Sequence, residues 1–484
     1  MSHPPGDVPV VDELAERLTA GGHEVALVGG TVRDALLGRV SPDLDFATSA
    51  RPEEVLAAVK GWADATWETG IAFGTVGIAK DGYRLEVTTY RAESYDRSSR
   101  NPTVEYGDTL EGDLARRDFT INAMAVRLPD RTFVDKYGGR EDLAKRRLRT
   151  PGRAEDSFDD DPLRIMRAAR FVAQLGDDKH PFVVADDVVA AMRSHADRLA
   201  IVSVERIRDE LTKTVVGAHP RRGLTLLVET GVAEHVMPEL PKLKATVDEH
   251  RRHKDVYEHT LTVLDQAVAL ERERGSEPDF VTRMAALLHD IGKPKTRKFE
   301  EKGGVSFHHH EVVGADMARA RLQRLRYPKQ IVEDVATLVE LHLRFHGYAE
   351  GEWTDKAVRR YVRDAGPLLE RLHVLTRSDC TTRNKRKAAM LKAAYDDLEA
   401  RIARLAEVEE LAAIRPPLDG KQVMDYLAIT PGPLVGEALS FLLELRIDRG
   451  PMSEPEAYAE LRAWAAERGV PDPGPAPAAD QAND

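Results

Sequence analysis

The sequence predicts an α+β protein in which a small mixed-sheet domain precedes a mostly α-helical remainder. Between residues 24 and 150, short apolar runs alternate with glycine-containing turns and brief helical segments, a pattern typical of mixed strand and helix. From about residue 154 onward, long amphipathic helical patterns dominate, for instance over 162–175 and 204–216. With 484 residues, the chain is long enough for about three domains.

The first domain carries clear local signals. The apolar run 24–28 predicts a strand that ends in Gly29-Gly30, and the following TVRDALLG predicts a helix. Residues 71–90 predict two strands joined at Asp81-Gly82, a dipeptide that favours a two-residue hairpin turn. The polar segment 91–112, rich in Ser, Arg and Asp, predicts a mobile loop.

Composition excludes several classes of protein. No apolar run approaches the roughly 18 residues that a membrane-spanning helix needs. The first residues lack the basic stretch and apolar core of a secretory signal. A single cysteine, Cys380, excludes an intramolecular disulfide and fits a reducing compartment. We therefore expect a cytoplasmic protein with no membrane partner, and no obligate protein partner is evident.

The net charge of −12 by itself argues against a nucleic-acid partner, but the charge is distributed unevenly along the chain. Residues 405–484 carry a net charge of −9, whereas 116–170 carry +4 and 371–404 carry +5. Locally basic surface is what attracts a phosphate backbone, so the upstream segments remain compatible with RNA. Solvated helix faces are the simpler interpretation of most such charge runs.

Two carboxylates, Asp43 and Asp45, form the strongest candidate site. On a strand they share one face, while Leu44 and Phe46 share the other. Adjacent carboxylates repel each other unless a cation lies between them, and Mg²⁺ is commonly bound by such acids together with substrate phosphates. Glu86 alternates with apolar residues on a second predicted strand, so three acids converge if both strands share a sheet. Such a site can hold two metal ions for nucleotidyl transfer, although each acid alone also suits a solvated sheet position.

The Gly29-Gly30 turn indicates a second part of the same site. A strand that ends in two glycines and opens a helix lets backbone amides approach phosphate oxygens closely. Arg33, in the first helical turn, can add a charged fork to the same phosphates. Most Gly-Gly turns are ordinary tight turns, but the nearby acids favour the interpretation of this turn as a phosphate-binding one.

Several longer motifs resemble those of a known family. They are VGGTVRD at 28–34, DLDF at 43–46, GDLARRDFTINAMAV at 112–126, DDPLRIMRAARF at 160–171 and ERIRDEL at 205–211. Together with HD-type residues near His289, the set resembles the bacterial CCA tRNA nucleotidyltransferase and poly(A) polymerase family over roughly residues 24–450. The resemblance implies template-independent transfer of nucleotides from CTP and ATP to the 3′ end of tRNA, with pyrophosphate released.

The resemblance also implies a domain order and site residues. The domains would be an N-terminal extension (1–23), a catalytic head (24–150), a helical neck for base recognition and RNA binding (151–245), an HD domain (246–400), a helical tail (401–470) and a disordered C-terminus (471–484). Asp43 and Asp45 would bind Mg²⁺, and Glu86 would match the third catalytic acid. The implied nucleotide-binding residues are Gly29, Gly30, Arg33, Arg117, Asp118, Asp161, Arg164, Arg167 and Arg170.

Asp161 and Arg164 resemble the pair that reads the base edge in this family, and base reading is assigned to them. Three residues apart on one helix, they would be neighbours on one face. Positions three residues apart differ by about 60° around the helix axis, so Arg170 would lie half a turn around the helix from Asp161. Arg170 would therefore bind a phosphate or stabilise the fold and would not read the base. An Asp acceptor beside an Arg fork suits the edges of C and A, while a plain helix salt bridge is the alternative. Asp160 stands where this family often has Glu, which leaves Asp161 untouched.

Histidines cluster in the second half of the chain. His259, His289, Asp290 and Asp379 resemble the ligand set of HD metal-dependent phosphohydrolases, with His310 and His342 able to complete a second position. Imidazole and carboxylate ligands together suit a transition-metal ion. The alternative is an RNA scaffold whose polar residues are satisfied internally.

A basic cluster follows Asp379 directly. Its members are Arg383, Lys385, Arg386 and Lys387. We expect it to contact the tRNA backbone, which would position the RNA without reading sequence. A solvated helix end is the alternative.

These observations favour a Mg²⁺-dependent enzyme that builds or repairs the CCA end of tRNA from CTP and ATP. A poly(A) polymerase, or an enzyme that adds only CC or only A, would share the same scaffold. An HD phosphohydrolase with a nucleotide-binding head and a non-catalytic RNA-binding protein belong to other classes, and the intact set of three acids disfavours both.

Overall fold

The computed structural model describes residues 8–39, 41–68, 70–71, 74–94, 103–106, 109–246, 255–299, 305–345, 348, 353–382, 384–409 and 415–477. The chain forms two compact units, one reaching Ala245 and including 321–327, the other comprising the remainder. The predicted α+β class is confirmed: a mixed sheet lies in the first unit, and helices dominate after it.

The sheet of the first unit has seven strands in the spatial order β3-β4-β5-β2-β1-β8-β9. In chain order they are β1 (Val25–Val28), β2 (Asp43–Thr48), β3 (Ala65–Trp67), β4 (Thr75–Lys80), β5 (Tyr83–Thr89), β8 (Ala125–Leu128) and β9 (Phe133–Val134). Strands β2 and β5 run parallel, and the other neighbouring pairs run antiparallel. The hairpin predicted at Asp81-Gly82 joins β4 to β5.

Alternation along the strands separates a core face from a polar face. Leu44 and Phe46 on β2, and Leu85 and Val87 on β5, are buried. Early helices of the unit pack with this sheet. They are α1 (Pro9–Ala20), α2 (Gly30–Leu36) and α3 (Pro52–Val59). The polar residues between the buried ones therefore share the opposite face.

The polar segment predicted as a loop contains secondary structure. Strands β6 (Arg91–Ser94) and β7 (Thr103–Tyr106) pair in an antiparallel ribbon, so the loop prediction over 91–112 is wrong for these residues. Helix α4 (Leu110–Ala115) follows, with the Thr109 hydroxyl accepting a hydrogen bond from the Gly112 amide at its start. Backbone pairing does not need apolar side chains in a two-stranded ribbon, and composition therefore did not reveal it.

Helices complete the first unit. They are α5 (Gly139–Ala144), α6 (Ala154–Asp160), α7 (Leu163–Gln174), α8 (Asp186–Ser194), α9 (Val204–Val215), α10 (Pro220–Glu229), α11 (Ala233–Val236) and α12 (Glu239–Lys242). Two short strands, β10 (Arg147–Leu148) and β11 (Val183–Val184), pair in parallel beside them. Helix α7 packs against α9 and α10, which positions its polar residues toward the site described below.

The second unit is built from helices. In order they are α13 (Val256–Glu273), α14 (Phe280–Leu288), α15 (Lys293–Thr296), α16 (His310–Arg324, whose last residues belong to the first unit), α17 (Lys329–Leu341), α18 (Asp355–Ala365), α19 (Leu369–Asp379), α20 (Lys385–Glu409), α21 (Gly420–Leu427), α22 (Pro433–Arg449) and α23 (Glu454–Glu467). A small ribbon, β12 (Lys298–Phe299) with β13 (Val305–Ser306), precedes α16. Helices α21–α23 enclose their own apolar core, including Leu442, Leu461 and Trp464.

The C-terminal segment is not wholly without contacts. The Tyr426 hydroxyl donates to the carbonyl of Gly474 at 2.8 Å, and Arg462 pairs with Asp472. The C-terminus predicted to be disordered, 471–484, thus makes these contacts within 471–477, while 478–484 lie outside the described residues. Within the described part of the chain, no helix combines the length and apolarity that crossing a bilayer requires.

Candidate active site and metal centre

The polar face of the sheet brings the three predicted acids together. Asp45 on β2 is the register partner of Glu86 on β5, and Asp43 lies two residues before Asp45 on the same face. Asp43 and Glu86 are exposed and Asp45 is half-buried. Burial raises the pKa of Asp45, and the charges of Glu86 and Asp43 add to the rise while Arg117 opposes it. This row of oxygen donors fits a hard divalent cation, which would relieve the repulsion.

The Gly29-Gly30 turn allows close approach to these acids. Gly29 has φ +63°, in the left-handed region, and a Cβ there would lie 2.7 Å from Nη1 of Arg117. A Cβ on Gly30 would lie 3.5 Å from Oδ2 of Asp45. The hydroxyl of Thr31 accepts the Asp45 amide hydrogen at 2.7 Å, which ties the turn to β2. Glycine is therefore required at position 29 for its backbone conformation, whereas a Cβ on Gly30 would make only an ordinary van der Waals contact.

A cavity of about 1260 Å³ opens beside the acids within the first unit. All of the predicted head and neck residues line it: Gly29, Gly30, Arg33, Asp43, Asp45, Glu86, Arg117, Asp118, Asp161, Arg164, Arg167 and Arg170. Its volume is somewhat above the roughly 300–1,000 Å³ of common ligand pockets, which leaves room for a ligand as large as a nucleoside triphosphate. The density of guanidinium groups suits an anion.

Three of these arginines surround one aromatic ring. The guanidinium carbons of Arg33, Arg167 and Arg170 lie 5.3, 5.5 and 4.4 Å from the centroid of Phe171. The ring holds the cations in place through its negative face, at a distance typical of cation–π contacts. Burial, together with the charge of Arg167, lowers the pKa of Arg170 to about 10. Crowded, partly desolvated cations of this kind favour an incoming polyanion.

Asp118 acts as a buried anchor for the arginines. Its carboxylate accepts from Nε of Arg167 at 2.6 Å, from the Asn122 amide at 2.9 Å and from its neighbour's backbone amide. Burial alone would raise the pKa of Asp118, but Arg167 and the Asn122 hydrogen bond bring it to about 2. Asp118 is thus an ionised group whose described contacts are all with the protein.

Asp161 and Arg164 do not share a helix as the spacing argument required. Helix α6 ends at Asp160, Asp161 has extended backbone angles, and α7 begins at Leu163. The extended conformation follows from Pro162, which disfavours a helical residue before it. The argument from helical rotation to Arg170 is therefore wrong, although all three residues still line the cavity.

The predicted base-reading pair is held by other residues. Arg164 is buried and donates to the Ser157 hydroxyl at 2.8 Å and to the carbonyl of Arg116 at 2.5 Å. Asp161 accepts from Arg206 at 2.9 Å and from the Leu163 amide at 3.1 Å. The alternative of an Asp161–Arg164 salt bridge is not what the structure shows, because Asp161 pairs with Arg206.

Sequence reasoning assigned no role to several residues that organise this site. Asn122 binds both Asp118 and Arg33, and Glu210 lies 2.9 Å from Nε of Arg170. Glu210 and Arg206 belong to the motif at 205–211, so their signal was present in the sequence. Only packing of α7 against α9 shows what each of them contacts.

The second unit contains a compact histidine and aspartate cluster. Two triads have ligand atoms that all lie within 4.8 Å of one another: His259, His289 and Asp379, and Asp290, His310 and His342. Five helices or their ends contribute, since the residues lie on or directly after α13, α14, α16, α17 and α19. The structure thus brings together the four residues of the HD-type set and the two additional histidines.

Hydrogen bonds fix the tautomers of three of these histidines. Nδ1 of His289, His310 and His342 lies 2.8, 2.8 and 2.6 Å from a backbone carbonyl three residues earlier. A carbonyl only accepts, so each Nδ1 carries the hydrogen, and each neutral ring presents an unprotonated Nε2 to the cluster. Nε2 of His342 is buried without a hydrogen-bond partner in the described structure. This arrangement is typical of metal-ligating histidines.

The charge of the cluster also favours a cation. Burial alone would lower the pKa of His289, but Asp290 and Asp379 raise it to about 9, so the ring takes up a proton that a bound metal ion would displace from Nε2. His259 lies 3.0 Å from Asp379, and its Nδ1 lies 3.1 Å from the Thr381 hydroxyl. The donor set of imidazoles and carboxylates fits a transition-metal ion.

The basic cluster lies at the start of α20. Lys385, Arg386 and Lys387 are exposed, and the Asn384 side chain accepts from the amides of Arg386 and Lys387. Arg383, the fourth predicted member, lies outside the described residues. An exposed row of cations on a capped helix start is compatible with a phosphate backbone.

Comparison with known proteins gives three matches to family models. Residues 25–149 match the poly A polymerase head domain, 256–410 match the HD domain, and 181–243 match a probable RNA and SrmB-binding site of polymerase A. The A-adding tRNA nucleotidyltransferase of Deinococcus radiodurans is 36% identical over 448 residues, covering 91% of this chain and 96% of that protein. The chain belongs to the bacterial CCA tRNA nucleotidyltransferase and poly(A) polymerase family, with an HD domain.

Other members of this family are similar over nearly the whole chain. The CC-adding tRNA nucleotidyltransferase of Thermus thermophilus is 33% identical over 458 residues, covering 92% of this chain and 96% of that protein. The crystal structure of the Bacillus stearothermophilus CCA-adding enzyme in complex with CTP has a TM-score of 0.65 at 27% identity, covering 96% and 99%. This family member is accordingly a nucleotidyltransferase, and both of its domain types imply dependence on a divalent metal.

Proposed function

We propose that this nucleotidyltransferase builds and repairs the CCA end of tRNA, using CTP and ATP and releasing pyrophosphate. The observation that carries the proposal is the row of Asp43, Asp45 and Glu86 beside an arginine-lined cavity of nucleotide size. The CTP complex of the similar Bacillus stearothermophilus enzyme supports a nucleoside triphosphate as the occupant. Because tRNA, CTP and ATP are all present in the cytoplasm, we propose that compartment.

Asp43 and Asp45 would hold Mg²⁺, with Glu86 beside them. When bound, the ion neutralises charge on the phosphates and on the attacking ribose hydroxyl. The side chains of Arg33, Arg117, Arg167 and Arg170 bind the triphosphate and leave the α-phosphate next to the acids. The protein's contribution is thus positioning and charge stabilisation, as in other phosphoryl and nucleotidyl transfers.

Asp161 and Arg164 would select the base. Arg164 is oriented by Ser157 and by the carbonyl of Arg116, and Asp161 is oriented by Arg206. A rigid acceptor and donor pair can match the edges of C and A and leaves unpaired groups against U and G. Since Asp161 precedes α7 while Arg164 lies within it, a small shift of this junction would accommodate either base.

The test is addition to defined acceptors. Purified protein is incubated with tRNAs that end before the first C, after C or after CC, and with oligo(A), each nucleotide being supplied separately. The proposal expects two C residues from CTP, then one A from ATP, and no further extension. Open-ended ATP addition to oligo(A) would instead identify a poly(A) polymerase.

A single-nucleotide specialist is the second candidate. It is favoured by the 36% identity to an A-adding enzyme over 91% of this chain. The same assay separates the alternatives, because an A-adding enzyme extends only the tRNA that ends in CC. Rejection of CTP on all acceptors would establish that narrower activity.

We also propose that the HD unit binds transition-metal ions and hydrolyses a phosphoester. The supporting observation is the buried Nε2 of His342, which has no hydrogen-bond partner in the described structure, inside two triads of ligand atoms. Metal analysis of the protein after chelation and reloading, followed by hydrolysis of bis-p-nitrophenyl phosphate, tests this function. Absence of both bound metal and hydrolysis would leave the unit as a scaffold.

A further inference from the structure

One row of residues crosses the polar face of the sheet beyond the acids. Trp67 on β3 is the register partner of Gly77 on β4, Gly77 is the partner of Glu86 on β5, and Glu86 is the partner of Asp45 on β2. Side chains at paired positions point to the same face of a sheet. Trp67 therefore shares its face with the catalytic acids, and the strand between it and Glu86 contributes only a glycine.

Gly77 leaves space that the indole fills. A Cβ on Gly77 would overlap Cε2 and Nε1 of Trp67, so the ring lies directly over the glycine. Neighbouring strands are about 4.8 Å apart, which places the indole one strand from the catalytic row. Trp67 is only half-buried, although it is the largest side chain type.

Arg84 packs against the ring of Trp67. Its guanidinium carbon lies 4.8 Å from the centroid of the Trp67 ring. Arg84 is exposed and is the register partner of Asp43, so this cation also lies on the acid-bearing face. An indole and a guanidinium in contact are the groups on which unpaired nucleic-acid bases stack, and the cation suits a phosphate.

The chemistry of the proposed reaction indicates what this surface binds. The attacking and leaving oxygens lie roughly in line on opposite sides of the α-phosphorus. The Gly29-Gly30 turn follows β1, on one side of β2, whereas Trp67 and Arg84 lie on the side of β5, β4 and β3. They are absent from the lining of the arginine-rich cavity. The acids thus lie between the triphosphate-binding groups and the Trp67–Arg84 pair.

We infer that Trp67 and Arg84 bind the 3′-terminal nucleotide of the RNA acceptor, so that its ribose hydroxyl faces the acids. The pair stacks on the base of that nucleotide, and Arg84 contributes positive charge toward its phosphate. This inference rests on the proposed nucleotide addition and names the acceptor side of the same site. A base stack tolerates any of the four bases, which suits an acceptor end whose last nucleotide changes as addition proceeds.

Steady-state kinetics provide the first test. Trp67→Ala and Arg84→Ala should raise the KM for tRNA by on the order of tenfold or more, because stacking on a base contributes that much to binding. The KM for CTP should stay unchanged, and Trp67→Phe should recover most of the loss. Phe133→Ala, an exposed aromatic on the opposite edge strand of the sheet, and Arg140→Ala on α5 are the matched controls.

Fluorescence provides a direct test. A tRNA that ends before the first C carries 2-aminopurine as its last nucleotide, whose emission falls when it stacks on an aromatic group. Binding to the wild-type protein should quench the emission, Trp67→Phe should retain part of the quench, and Trp67→Ala should abolish it. Circular dichroism and the thermal midpoint of unfolding establish whether each variant is folded. If Trp67→Ala does not fold, Arg84→Ala takes its place in both experiments.

The outcomes separate this inference from the proposed function. If the wild-type protein adds nucleotides while Trp67→Ala and Arg84→Ala keep both the wild-type KM for tRNA and the quench, the inference is overturned and the function stands. If the wild-type protein adds no nucleotide to any acceptor, the proposed function fails. A rise in the KM for CTP equal to that for tRNA would place the pair on the nucleotide side and would also overturn the inference.

Discussion

The two candidate metal sites of this molecule are built in opposite ways. In the head, Asp43 and Glu86 are exposed on a sheet face and border a cavity of about 1260 Å³. In the HD unit, His289, Asp290 and His342 are almost completely buried and surrounded by other ligand side chains. The head offers oxygens alone, whereas the HD cluster offers imidazole nitrogens as well.

This difference indicates how each site obtains its metal. A few exposed carboxylates bind Mg²⁺ weakly, and substrate phosphates supply the remaining ligands, so the head site is completed only when the nucleotide arrives. The HD cluster already presents six candidate ligand side chains, among them three histidines with fixed tautomers, and burial of unpaired polar atoms there is costly without a cation. The head metal should therefore exchange with substrate, while the HD metal should remain bound between turnovers.

The largest effect is expected from Asp45→Asn. Loss of this carboxylate removes a metal ligand beside Glu86, and several kcal/mol of lost charge stabilisation corresponds to at least about a thousandfold lower rate of nucleotide addition. Single-turnover incorporation of CTP into a tRNA lacking CCA measures the change. The metal content of the HD unit should be unaffected, and equal losses at both sites would contradict the independence of the two centres.

The acids and the HD cluster differ in how far sequence could predict them. The shared face of Asp43 and Asp45 follows from the two-residue period of a strand, which only a break in the strand can change. Partnership with Glu86 required that β2 and β5 be neighbours, and that is a tertiary fact. The HD ligands lie up to 120 residues apart, from His259 to Asp379, and only helix packing brings them together.

The residues predicted to read the base show where local reasoning fails. Treating 161–170 as one helix ignored Pro162, whose ring forces Asp161 out of the helical region. The partners that replaced the expected pair, Arg206 and Ser157, lie 45 and 7 residues from those they hold. The ribbon of β6 and β7 was missed for a different reason, since backbone pairing leaves little trace in a polar composition.

The second largest effect is expected at the HD cluster. His342→Ala removes a ligand nitrogen that has no hydrogen-bond partner in the described structure, so metal affinity should fall by about a hundredfold or more. Equilibrium dialysis against Mn²⁺ with metal analysis measures it, and His235→Ala, an exposed histidine, is the matched control. Nucleotide addition should stay at the wild-type rate. Unchanged Mn²⁺ affinity in His342→Ala would show that His342 is not a ligand, and absence of bound Mn²⁺ in the wild-type protein would show that the cluster is a scaffold.

A smaller effect, on specificity, is expected from Arg206→Ala. Without its partner, Asp161 is no longer fixed at the rim of the cavity, and discrimination should weaken by about 1–3 kcal/mol, or roughly tenfold to a hundredfold. The ratio of kcat/KM for CTP to that for UTP measures this change. Arg164→Ala should weaken the same ratio. If both variants lose rate equally for all nucleotides, Asp161 and Arg164 hold the local structure of the protein and do not read the base.

Gly29→Ala should have a moderate effect on both stability and activity. The left-handed backbone at Gly29 costs a non-glycine residue about 1–2 kcal/mol, and the added Cβ displaces Arg117. The free energy of unfolding in urea measures the first effect, and the KM for CTP, expected to rise about tenfold, measures the second. Gly38→Ala, at φ +72° with no atom near its Cβ, isolates the backbone cost because it leaves Arg117 in place.

The smallest effect per residue is expected from the basic start of α20. Each of Lys385, Arg386 and Lys387 that contacts a phosphate should, when changed to Ala, lower the slope of log K for tRNA against log salt by about 1. Filter binding of tRNA between low and physiological salt measures the slope, with Lys421→Ala as the control for an exposed cation elsewhere in the unit. The addition rate at saturating tRNA should not change, because contacts to the phosphate backbone position an RNA and do not take part in the chemical step. If a variant with all three residues changed to Ala keeps the wild-type salt dependence of tRNA binding, this segment is a solvated helix end and does not contact RNA.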